Sequence, residues 1–168
     1  NQIVVMKKIT DQIPVTDQAG WFKRLCRRLF KHTSAADLPS GSNRDHHDSN
    51  PELFRRKGTI LVVADDPVFV KAVEGLLKAE CYQVLTATNG ADAMTLVREK
   101  RPNAIVVDVN LPQDVSGVPW DGYRITSWLQ RFDDWKDIPV VVVSGSDPRV
   151  CTRTAIESGA TAFFHKQM

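Results

Sequence analysis

Thr59-Ile60-Leu61-Val62-Val63-Ala64-Asp65-Asp66-Pro67 is the stretch from which the rest of the chain can be read. Its aliphatic and β-branched run has no polar alternation, the pattern of a strand covered on both faces. Asp66-Pro67 then offers a capping carboxylate followed by a residue whose fixed φ suits the first helical position. Phe69, Val73, Leu76 and Leu77 keep helical spacing beyond it. One buried strand feeding directly into one helix is the repeating unit to look for.

Downstream the unit recurs. Tyr82 to Ala87 reads as a second strand, Asn89-Gly90 as a turn, and Ala93, Leu96 and Val97 as one side of a short helix. Ala104 to Val107 is a third buried strand ending at Asp108. After a longer connection, Ile125, Trp128, Leu129 and Phe132 mark a helix. Pro139 to Val143 is the fourth strand, ending at Ser144, and Asp147-Pro148 repeats the cap-and-proline device before a helix that Gly159 ends. Thr161 to Phe164 is the fifth strand, ending at Lys166. Apolar strands alternating with helices predict an α/β fold, a doubly wound five-stranded parallel sheet covered on both faces.

Upstream the chain changes character. Residues 1–57 hold 11 Lys and Arg against 6 Asp and Glu, whereas 58–168 hold 11 against 14, which puts a seam near residue 57. In Trp21-Phe22-Lys23-Arg24-Leu25-Cys26-Arg27-Arg28-Leu29-Phe30-Lys31, apolar and basic residues share out two faces of a helix. Such a helix suits docking on a neighbouring domain or partner, or lying on an anionic membrane. Residues 1–32 are therefore an N-terminal segment with a basic amphipathic helix, and 33–57, rich in Ser, Asp, Asn, Pro and Gly, a flexible linker. His46 and His47, between Asp45 and Asp48, have metal-binding side chains, but neighbours on a floppy loop do not preorganise a site.

Composition excludes several classes. No apolar run approaches the ~18 residues that span a bilayer. The start, Asn1 to Met6, is neither an initiator Met nor a leader, which suggests a fragment or a processed chain. Cys26, Cys81 and Cys151 have no metal-type spacing, and the apolar settings of Cys81 and Cys151 predict buried thiols, so a reduced cytoplasmic compartment is expected. DNA binding lacks a recognition-helix unit.

In a doubly wound sheet, ligands gather beyond the carboxyl ends of the strands. There the strands deliver Asp65 and Asp66, Asp108, Ser144 and Lys166. Clustered carboxylates call for a hard cation such as Mg²⁺. Asp108 can attack phosphorus and form an acyl phosphate. The cation and the Lys166 ammonium would neutralise phosphoryl oxygens, with the Ser144 hydroxyl donating a hydrogen bond. Asp66 reads first as a helix cap and second as an additional acid.

These residues resemble the receiver domains of two-component response regulators, over about 58–168. The matching segments are Ile60 to Pro67, Arg101 to Pro112, Ile138 to Gly145 and Gly159 to Lys166. The resemblance implies a flavodoxin-like fold and phosphorylation by a histidine kinase or phosphotransfer protein, with self-catalysed transfer and dephosphorylation but no enzyme of the ordinary kind. It implies Asp108 as phosphoacceptor, Mg²⁺ held by Asp65, Asp108 and the Asn110 carbonyl, Ser144 and Phe163 as switch residues, and Lys166 as the phosphate-sensing lysine. Four departures stand out. Ala64 replaces an acid, Gln113 to Trp120 is a longer loop, Gln167 replaces a proline, and Met168 is reached without the final helix, as in a C-terminally truncated domain. The alternative is a pseudo-receiver that binds a protein partner without phosphorylation. A phosphatase reading fails on Asp108-Val109-Asn110, which lacks the second Asp such enzymes use as acid and base.

Overall fold

The computed structural model describes residues 57–112, 117 and 120–166. The stretch Trp21 to Lys31, the linker up to residue 56, His46 and His47, most of the loop from Gln113 to Trp120, Gln167 and Met168 lie outside the described residues.

The elements run β1 (Thr59–Val63), α1 (Pro67–Ala79), β2 (Gln83–Ala87), α2 (Gly90–Lys100), β3 (Ala104–Asp108), α3 (Gly122–Leu129), β4 (Val140–Ser144), α4 (Pro148–Glu157) and β5 (Ala162–His165). They form the predicted five-stranded sheet, in the order β2-β1-β3-β4-β5 with every pair parallel. The second, fourth and fifth strands begin one residue later than their sequence pattern suggests. β3 and β4 are buried at every position, as the unbroken valine runs require, while the edge strand β2 is half exposed.

Parallel crossovers are right-handed, so their direction fixes the face on which each helix lies. The step from β1 to β2 runs one way across the sheet and the other three run the opposite way. That puts α1 on one face and α2, α3 and α4 on the other. Side chains agree: the Lys166 ammonium lies 4.5 Å from the ring centre of Phe69 on α1, and the Ser144 hydroxyl meets the Cys151 thiol on α4.

Side-chain caps start each helix. The Asp66 carboxylate accepts from the Val68 and Phe69 N–H groups at 2.9 and 3.3 Å. Asp121 and Asp147 do the same for α3 and α4. Asn89, expected in a turn, caps α2 by accepting from Asp92 N–H at 2.9 Å. The adjoining Gly90 then lies under Trp120, where a Cβ would come within 2.3 Å of the indole.

Two expectations need correction. Cys81 is exposed, while Cys151 is buried as expected. Cys81 ends α1 in the left-handed conformation, φ 67°, with its N–H on the Lys78 carbonyl and Tyr82 N–H on that of Leu77. That turn aims the thiol at solvent. Phe132 lies beyond α3, which stops at Leu129, because its ring turns to join Trp128 and Trp135 at centroid distances of 4.3 and 5.0 Å. No helix among the described residues is long and apolar enough to cross a membrane.

Candidate functional site

Asp108 closes β3 and is 2% exposed. A buried carboxylate needs partners for both oxygens. Oδ1 accepts the Asn110 N–H at 3.2 Å, and Oδ2 is paired with Lys166 Nζ. Lys166 follows β5, and its N–H donates to the Ser144 carbonyl at 2.8 Å, which fixes where the side chain departs. With its stem between sheet and α1, that side chain is 17% exposed, and its ammonium lies over the Phe69 ring. The lysine expected from sequence therefore does reach the aspartate.

Ser144 is at the same edge but faces the other way. Its oxygen accepts the Ser146 N–H at 3.1 Å and the Cys151 thiol at 3.7 Å. The hydroxyl is thus bound to the α4 layer, with Asp108 and Lys166 on the α1 side. Phe163 neighbours Val142 in the sheet and is buried. Side chains alternate along a strand, so Phe163 faces the α4 layer with Ser144 and opposite Phe164.

The acids of the first strand behave differently from each other. Asp66 is the cap of α1, as its Asp-Pro context predicted. Asp65 is exposed just past β1. The β1–β3 register pairs Val63 with Val107, so the next residue, Ala64, stands beside Asp108. A methyl group takes the place where a second carboxylate would press on the first. Asn110 is exposed.

Among the described residues, no three His, Cys, Asp or Glu side chains converge on a metal position. The donors expected from sequence, on Asp65, Asp108 and the Asn110 backbone, are all oxygens. Such a set fits Mg²⁺, which holds one or two carboxylates and keeps several waters.

Three neighbours of the site escaped the sequence reading. Gly122 presses on the end of β3: a Cβ there would lie 2.5 Å from the Asp108 carbonyl oxygen, while its own N–H donates to Val109 O at 3.2 Å. Its place after the capping Asp121 was the available signal. Phe69 read as a core-facing residue, and nothing local distinguishes a ring under an ammonium. Cys151 holds Ser144. Close by, burial first and then the neighbouring Cys151 and Asp121 push the Tyr123 phenol well above its ordinary pKa.

The family model for the response regulator receiver domain matches residues 60–168. The polar-differentiation response regulator DivK of Brucella anthropi is 30% identical over 108 residues, covering 64% of this chain and 83% of DivK. The virulence-factor transcription regulator BvgA of Bordetella pertussis is 32% identical over 108 residues; the match spans 64% of this chain and about half, 48%, of BvgA. Among solved structures, the receiver domain of a signal transduction histidine kinase from Syntrophus aciditrophicus superposes with a TM-score of 0.57 at 32% identity, covering 66% of this chain and 80% of that one.

Proposed function

The chain belongs to the response regulator receiver domain family, and from that premise we propose that it accepts a phosphoryl group on Asp108 from a histidine kinase or phosphotransfer protein and changes its partner contacts in response. The observation that carries this reading is the Asp108–Lys166 pair, a nucleophile and a cation at the carboxyl edge of the sheet. The side chains of Asp65 and Asp108 and the Asn110 carbonyl would hold Mg²⁺, which supplies positive charge to the transferring group.

In this reading an Asp108 oxygen attacks phosphorus, the bond to the donor breaks, and an acyl phosphate forms. The Lys166 ammonium passes from the carboxylate to a phosphoryl oxygen. The Ser144 hydroxyl leaves Ser146 and Cys151 to donate to another, and buried Phe163 follows it. Ala64 removes one negative charge beside Asp108, which weakens the hold on the cation.

Acetyl phosphate with MgCl₂, followed by intact-mass measurement, tests the proposal. One phosphoryl group should be added, and none to Asp108→Asn. Failure to label the folded protein under conditions that label another receiver would sink it. Partner binding indifferent to Asp108→Asn would favour the phosphorylation-independent module instead.

A further inference from the structure

The side chain of the serine that ends β4 is tied to a second element. Ser144 is fully buried, and its oxygen accepts from the Ser146 N–H at 3.1 Å and from the Cys151 thiol at 3.7 Å. These two ties differ in kind. Ser146 belongs to the two-residue connection, Gly145-Ser146, that leads from Ser144 to the capping Asp147, so its N–H is part of the same short turn. Cys151 closes the first turn of α4, where its own N–H donates to the Asp147 carbonyl at 3.1 Å. Its thiol is therefore carried by the helix and reaches back across the connection to the strand end.

A hydroxyl oxygen offers two acceptor positions, and these two donors take both. So engaged, Ser144 is held in the α4 layer, away from the Asp108–Lys166 pair on the α1 side. The thiol suits a hold that has to be broken. Cys151 is 7% exposed, so water does not compete for its proton. A thiol is nonetheless a weak donor, and parting it from an acceptor costs little. By contrast, a bond from a hydroxyl to an anionic oxygen is charge-assisted and roughly twice as strong as a neutral one.

We infer that Cys151 is a positioning residue for the phosphoryl site. Its thiol keeps the Ser144 hydroxyl on the α4 side at rest and sets the threshold that an anion on Asp108 overcomes to draw it across. This inference rests on the phosphotransfer reading and adds to it a restraint supplied by α4. A restraint on the resting state has a definite sign: removing the thiol strengthens anion binding, because free energy otherwise used to part thiol from hydroxyl goes to the complex.

Beryllium fluoride, whose adduct with a carboxylate copies a phosphoryl group, tests this on the full chain by calorimetric titration with MgCl₂ present. Cys151→Ala should bind it roughly threefold more tightly than the parent, the effect of one weak hydrogen bond. That gain should vanish in a Ser144→Ala background, where a loss of packing alone would leave it in place. If Cys151→Ala does not fold, Cys151→Val, similar in size to cysteine but without a donor, carries the same expectation. Raman spectroscopy supplies a second readout. The S–H stretch that Cys151→Ala removes should move to higher frequency when beryllium fluoride binds the parent, as the thiol loses its acceptor. Equal affinity in the parent and the Cys151 variants, a gain that persists without Ser144, or an S–H band unmoved by binding would each overturn the inference alone. A folded parent that binds no beryllium fluoride would overturn the phosphotransfer reading and the inference with it, so the parent titration tells the two failures apart.

Discussion

Lys166 and Asp108 hold each other in place at the rim of the sheet. Removing the ammonium leaves a carboxylate that is almost wholly buried and, among the described residues, keeps the Asn110 N–H as its donor. Breaking a fully buried pair costs about 3–5 kcal/mol; the partial exposure of Lys166 brings the expected loss for Lys166→Met to about 2 kcal/mol in urea unfolding. Urea curves that superimpose would show that the pair contributes nothing to stability. Asp66 gives a sharper test of role. Asn caps a helix as well as Asp but is a poorer partner for a cation. Asp66→Asn should therefore leave both stability and Mg²⁺ affinity, read by calorimetry, within error of the parent, whereas Asp66→Ala should cost about 1 kcal/mol. A weakened cation site in Asp66→Asn would make this residue a ligand as well as a cap. Residues whose position follows from strand ends and caps, such as Asp66, Asp108 and Lys166, were legible in the sequence. The direction of the Ser144 side chain was not, because it depends on Cys151, which arrives from another element. Cys81 was misread because a strand starts just beyond it, while its own backbone turn, next to Glu80, faces water.

The elements followed from unbroken aliphatic runs for strands, and from helical spacing with two Asp-Pro starts for helices. Among the described residues, the five strands and four helices are in the predicted order. Ends were less legible: α3 has no glycine or proline to stop it, and a contact between Phe132, Trp128 and Trp135 is invisible to helical spacing. The α3–α4 contact carries a pH signature. Burial is the main cause that raises the Tyr123 pKa, so folding favours the neutral phenol. The associated stability is full below the unfolded value of about 10 and declines as pH rises above it. Followed by ultraviolet absorbance in a Tyr82→Phe background, Tyr123 should stay neutral beyond the ordinary tyrosine range until the protein unfolds. An ordinary midpoint in the folded protein would contradict the packing of Tyr123 against Cys151.

Across the whole molecule, burial decreases from the centre of the sheet toward its β2 edge. β3 and β4 have every position buried, while β2 shows water its outer edge and several side chains. Native-state hydrogen exchange should be slowest in β3 and β4 and fastest, among the strands, in β2. Uniform protection across the sheet would refute that gradient. The doubly wound architecture was readable from the alternation of elements. The two faces also bear on the rim. Asp108 and Lys166 belong to one layer and Ser144 to the opposite one. An anion on Asp108 that engaged both would straddle the edge of the sheet like a clasp. One small chemical event would then tug at once on two packed layers that the sheet otherwise keeps apart.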